Sequence, residues 1–236
     1  MVNSGQRKRG WLTSVAPMDL YDVMRTTAAV REFTVDPLPD DVLHTILDNA
    51  RFAPSGGNRQ GAHVVVVRER ETRERLVALY PSAVRRYVAQ SRAGESPWNS
   101  VHPPGPTPEE IAATEVPERF TAPVLEAPVV LVFFVDLAVV ASMDQDLDRV
   151  GVISGGSVYP LVWNVLLAAR NEGLGGTITT MAVVEEPAVK ELFGVPDTFA
   201  VAAVVPLGRP VKVLTRLKRQ PLEEFVTRER YDGLPL

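Results

Sequence analysis

The sequence predicts one domain of mixed α and β structure, and three observations carry that expectation. Short runs rich in β-branched and aromatic residues (Val64–Val67, Val129–Val135, Phe199–Val205) read as strands buried in a sheet. Between them lie segments with apolar residues at helical spacing, the clearest around Val42, Leu43, Ile46, Leu47 and Ala50. The two kinds alternate along 236 residues, enough chain for a sizeable core, with no internal repeat or low-complexity tract to divide it.

In order, a short helix is expected over Asp19 to Thr27. A second runs from Asp40 to Ala53, opened by Pro39 and two aspartates and stopped by Pro54. Val64–Val67 is a continuous β-branched run, the pattern of a strand covered on both faces, and Glu69 to Tyr80 has helical composition. Gly94 to Pro108 holds five prolines and two glycines and cannot be regular structure; a lid spanning 94–123 or a disordered insertion both fit, and Trp98 favours the lid. A long helix is expected over Asp148 to Asn171, kinked or split near Gly155–Gly156 because of Pro160. Thr177 to Thr180 is a third strand candidate, and Pro187 to Phe193 is a short helix with proline in its first turn. From Gly208 the chain becomes an extended basic arm over 208–236, whose Val211, Val213, Leu214 and Phe225 need something to dock on. Residues 1–17 read as a flexible basic tail, leaving 18–236 as the single domain.

Composition removes several functional classes. The 25 basic and 29 acidic residues give net −4, which does not suggest an electrostatic nucleic-acid binder. Without cysteine there are no disulfides, thiolate metal sites or cysteine nucleophile, and thiol-free usage fits a reducing cytoplasm. The three histidines lack H-x-x-x-H spacing, so a zinc site is not expected. The apolar stretch Val129 to Ala141 is broken by Asp136 and too short to cross a bilayer as a helix, so neither membrane nor nucleic acid is an expected partner. Neither G-x-G-x-x-G after a strand nor G-x-x-x-x-G-K-[ST] occurs. Ala53-Pro-Ser55-Gly-Gly57 is a near miss for a serine-hydrolase elbow, but it follows a helix where that turn needs a strand.

Three polar clusters remain: Arg25-Thr-Thr-Ala-Ala-Val-Arg31-Glu-Phe33, Ala53-Pro-Ser-Gly-Gly-Asn58-Arg-Gln60, and Leu217-Lys-Arg219-Gln-Pro221-Leu-Glu. Guanidinium groups beside hydroxyls suit phosphate oxygens, which they meet bidentately. Ser, Asn and Gln on a turn can satisfy the heteroatoms of a planar polar ring. With Gly173-Leu-Gly175-Gly-Thr-Ile-Thr-Thr180 between the second and third clusters, the series resembles the FMN-dependent nitroreductase superfamily over about residues 18 to 226.

The resemblance implies a three-layer α/β/α sandwich around a mixed, mainly antiparallel sheet, and a homodimer with FMN at the interface and each arm laid on the partner. It implies that Arg31 and Arg219 grip the FMN phosphate, with Arg25, Thr26 and Thr27 nearby and Lys218 replacing a family lysine absent near Leu217. Ser55 and Asn58 would bind the ribityl chain or ring edge, assisted by Gln60; Ile178, Thr179 and Thr180 would lie along the isoalloxazine, with Thr180 a candidate contact to N5. Ala28 and Ala29 depart from the family, which often has arginine and serine there. The implied activity is reduction of nitroaromatic or quinone acceptors by NADPH or NADH in ping-pong hydride transfer, with no catalytic side chain because the flavin carries the chemistry. A reductive dehalogenase of the iodotyrosine deiodinase type shares the Thr-Thr and Lys-Arg-x-Pro-Leu patterns and is the alternative enzyme, ahead of a flavin-consuming oxygenase. A flavin-binding protein without turnover is the non-enzymatic alternative.

Overall fold

A computed structural model describes residues 18–236, so the expected tail at 1–17 lies outside the described residues. Four strands form one antiparallel sheet in the order β1-β2-β4-β3: β1 (Ala62–Val67), β2 (Val129–Asp136), β3 (Gly175–Gly176) and β4 (Phe199–Gly208). The central pair is β2 and β4, and every residue of β2 except Asp136 is buried.

Side-chain alternation along β2 divides the interior in two. Val129, Leu131 and Phe133 face a core built with α2 (Asp40–Ala50) and α7 (Tyr159–Asn171). Val130, Val132 and Phe134 face the opposite core, built with α3 (Arg70–Val77), α4 (Pro81–Arg92), α6 (Ala122–Glu126) and α8 (Glu186–Phe193). Helices therefore cover both faces of the sheet, in the three layers expected. A β-bulge interrupts the β2–β4 ladder between Phe133 and Phe134, so Ala202 and Ala203 both face the α7 side. Tyr159 covers this irregularity by donating its hydroxyl to the Ala202 carbonyl at 3.1 Å.

The structure corrects several expectations. Among the described residues β1 is an edge strand that pairs only with β2, and Val66 is 42% exposed, so the valine run is not covered on both faces. The expected strand at Thr177–Thr180 is displaced to Gly175–Gly176, because β4 pairs there through Gly208 and Leu207; Thr179 keeps only an isolated bridge to Val204. The long helix begins at Tyr159, not Asp148, with Pro160 in its first turn, where a missing N–H costs nothing; a 3-10 turn over Ser154–Ser157 precedes it. Expectation also missed α4, which starts at Pro81 directly after the turn that ends α3. Two helices end early, α2 at Ala50 and α1 (Leu20–Thr26) one residue short.

The proline-rich stretch is irregular up to Thr107, which caps the short helix α5 (Pro108–Ala112). It is tied to α4 by a fully buried side chain, Gln90. The Gln90 amide donates to Glu95 (2.9 Å), and its oxygen accepts from the Trp98 backbone N–H (3.0 Å) and Arg86 Nε (3.2 Å). The Trp98 indole donates to the Ala83 carbonyl (3.2 Å) and lies 4.0 Å under the Arg86 guanidinium. Gln90→Ala strands these partners, so it is expected to cost about 1–3 kcal/mol. Limited proteolysis should then cut within 94–107 faster than in the parent; unchanged cleavage would show that the tether lies elsewhere.

The loop between β2 and α7 is organised around Asp144, itself buried. Its carboxylate accepts from the Val152 N–H (2.7 Å) and from Arg149 (2.8 Å), which together hold its pKa below the usual 3.8. A depressed carboxylate stabilises the fold above its unfolded value, and that contribution disappears as pH falls through the folded value. The loop should therefore loosen only in acid below about pH 4, read as faster exchange of the Val152 amide. Asp144→Asn should show the looser loop already at neutral pH.

Candidate active site

The first polar cluster is held in place by backbone, not by side chains. Residues 29–34 run extended between β3 and the start of the C-terminal arm. The Val30 N–H donates to the Gly176 carbonyl (2.8 Å), Thr34 N–H to Arg209 (2.9 Å), and Val211 N–H to Glu32 (3.1 Å). The approach to β3 requires glycine, since a Cβ on Gly175 would sit 2.6 Å from Val30 Cγ2 and one on Gly176 2.5 Å from the Pro206 carbonyl oxygen. The Gly-Leu-Gly-Gly segment thus docks the N-terminal motif. Phe33 buries its ring, whereas Arg31 is exposed and forms no ion pair among the described residues.

At the end of α1, Thr26 and Thr27 donate their hydroxyl protons to the Asp22 and Val23 carbonyls (2.6 and 2.7 Å). They can accept a further hydrogen bond but cannot donate one without breaking these. Arg25 is exposed, its guanidinium 5.7 Å over the Tyr21 ring. Arg170, from the last turn of α7, donates from Nε to Thr26 Oγ1 at 3.0 Å.

The second cluster forms one tight turn ahead of β1. Ser55 Oγ accepts the Gln60 N–H (3.0 Å), and the Asn58 N–H closes onto the Ser55 carbonyl (2.9 Å). Gly57, Asn58 and Gln60 have φ values of 60°, 52° and 52°. Left-handed backbone at two non-glycine residues is a local cost of the kind concentrated at functional sites. Here it leaves the Asn58 and Gln60 side chains exposed to solvent. Ser157, from the 3-10 turn before α7, accepts the Gly56 N–H at 3.2 Å and joins this turn to that helix.

Ile178, Thr179 and Thr180 follow β3. Thr179 exchanges backbone bonds with Val204 (2.9 and 2.8 Å), while Ile178 and Thr180 are exposed. Beneath them the Tyr80 hydroxyl is fully buried beside Thr179 with no hydrogen bond of normal geometry; burial pushes its pKa up and keeps it neutral. On the arm, Lys218 and Arg219 are exposed, and the Arg219 guanidinium meets only the Lys218 carbonyl (2.7 Å).

The structure therefore brings the N-terminal motif, β3 and the start of the arm together, and forms Ser55, Asn58 and Gln60 into one turn. No described contact joins Arg219 to Arg31, or either to that turn. Sequence reasoning missed Arg170, Ser157 and Tyr80. Arg170 is one arginine among many, and its only signal is its place three residues before Gly173.

With this geometry in hand, the comparisons are direct. The Nitroreductase family model matches residues 24–209, and the chain belongs to that family of oxidoreductases. It is 26% identical over 224 residues to an NADH dehydrogenase of Thermus thermophilus, covering 84% of this chain and 90% of that protein. Its fold is similar to the NADPH:FMN oxidoreductase of Vibrio harveyi solved with NAD+ (23% identity, TM-score 0.62, 91% of this chain and 79% of that one). It is similarly close to an iodotyrosine deiodinase solved with FMN and 3-iodo-L-tyrosine (20% identity, TM-score 0.63, 90% and 99%). Among the described residues, no helix is long and apolar enough to cross a membrane.

Proposed function

We propose that this chain is an NAD(P)H-dependent FMN oxidoreductase that reduces nitroaromatic or quinone acceptors. One observation carries the reading: Arg31, Lys218 and Arg219 have no carboxylate partner among the described residues, while a strained turn holds Asn58 and Gln60 out to solvent. That donor set suits a ligand with a dianionic phosphate and a polar planar ring, as FMN is. Arg31 and Arg219 would hold the phosphate, with Arg25, Thr26, Thr27 and Lys218 near it. Ser55, Asn58 and Gln60 would hold the ribityl chain or ring edge. Ile178 and Thr179 would support the ring, and Thr180 would offer a donor toward N5.

FMN bound there would supply the two-electron hydride chemistry that links NAD(P)H to the acceptor in a ping-pong exchange. The protein's own residues would bind and orient it. Solvent would protonate the product, so no acid–base pair of side chains is needed.

A homodimer completes the reading, with the arm of each subunit laid on the other. Its support is the exposure of Val211, Val213 and Phe225 (60%, 50% and 63%) on a segment with no core of its own. The 94–123 segment would cover the acceptor. Purified protein should absorb near 450 nm, release about one FMN per subunit on heating or acid treatment, and oxidise NAD(P)H faster when a nitro acceptor is added. Bound FMN without that oxidation would favour a flavin-binding protein; absence of FMN from protein expressed with ample flavin would overturn the reading.

A further inference from the structure

We propose that Arg170 is a further phosphate-binding residue, gripping the FMN phosphate ester from inside the cleft between α1, β3 and the start of the arm. The inference rests on the FMN reading above. Arg170 is half-buried on the last turn of α7, and its side chain is aimed by one bond. Nε donates to Thr26 Oγ1 at 3.0 Å, and that hydroxyl donates onward to the Asp22 carbonyl at 2.6 Å. One edge of the guanidinium is thereby committed. The terminal nitrogens Nη1 and Nη2 have no hydrogen bond and no ion pair among the described residues, which leaves that edge of the guanidinium free to meet an anion.

The surroundings point to the charge of the missing partner. Thr26, Thr27 and Ala28, Gly175 and Gly176 of β3, and Pro210 and Lys212 of the arm line the cleft. Two cations, Arg170 and Lys212, line it, and no carboxylate does. It adjoins the proposed phosphate site, because Thr26 and Thr27, which that reading places near the phosphate, line it. A phosphate monoester there would take the free face of Arg170 while Thr26 keeps the plane fixed, so little side-chain freedom is lost on binding. The rival explanation is purely structural: the arginine offsets the negative ends of α1 and α7, which meet at Thr26.

Paired titrations of the full-length apoprotein with FMN and with riboflavin separate the two, because riboflavin has the ring and ribityl chain but no phosphate. The wild type should bind FMN much more tightly than riboflavin. Arg170→Gln should lower that preference about tenfold or more, the scale of one charge-assisted hydrogen bond, with riboflavin affinity unchanged. Arg170→Lys keeps the charge but loses the planar fork that meets Thr26 with one edge and a phosphate with the other; it should lower the preference about threefold, and it decides the matter should Arg170→Gln not fold. Equal losses for both flavins, or an unchanged preference in either folded variant, would overturn the assignment and leave Arg170 as a clamp between α1 and α7. Wild-type protein that binds both flavins equally also overturns it while leaving the flavin reading intact, whereas failure to bind either is a failure of the proposed function itself.

Discussion

Arg219→Ala is expected to raise the dissociation constant for FMN by about one to two orders of magnitude. A charge-assisted bond to phosphate contributes roughly 1.5–3 kcal/mol, and each ~1.4 kcal/mol is tenfold. The apoprotein should keep its stability, since Arg219 is exposed and meets only its neighbour's carbonyl. Lys218→Ala should cost less, because adjacent residues of an extended arm point to opposite sides. Flavin fluorescence titration of the two apoproteins gives both constants. Equal affinity for wild type and Arg219→Ala would remove the C-terminal motif from the site; a larger loss for Lys218→Ala would put the arm one residue out of register.

The opposite signature is expected of Phe133→Ala. Phe133 is fully buried in the central strand, packed with Val162 and Val165 of α7 on one sheet face. Removing its ring should destabilise by about 3–5 kcal/mol through lost transfer energy and the cavity left behind. Chemical denaturation should show the midpoint falling with the slope unchanged. FMN affinity of the folded fraction should hardly move, because Phe133 contributes nothing to the cluster of cations or the Ser55–Gln60 turn. A loss below 1 kcal/mol would mean that the α7 layer relaxes into the space.

Much of this architecture is legible in the residues because the signals are local. The run Val129–Val135 is a strand wherever it lies, and the spacing of Leu43, Ile46 and Ala50 can bury only one helical face. The failures share a cause. Whether Val64–Val67 is central or at an edge depends on which strands flank it, and composition does not carry that. Thr177–Thr180 has the side chains of a strand, but β4 pairs with Gly175 and Gly176, where only the absence of a Cβ permits the approach of Val30 and Pro206. Pro160 reads as a break inside a helix until the helix is seen to start beside it.

The candidate site follows the same division. Ser55, Asn58 and Gln60 are close in sequence and meet in one turn. Arg170 reaches Thr26 across 144 positions, and nothing near either residue signals that contact. No described contact joins Lys218 or Arg219 to Arg31, so motif order alone proposes that they share a ligand.

The position of β1 bears on how the protein must be handled. Ala62–Val67 offers the unpaired side of its backbone along a six-residue stretch containing four valines, with no lysine, proline or carboxylate to discourage another chain from pairing there. His63 is the only polar residue in it. Concentrated or partly unfolded protein therefore carries a template for strand-by-strand association. A charged side chain at Val66, already 42% exposed, would interrupt that template without entering either core.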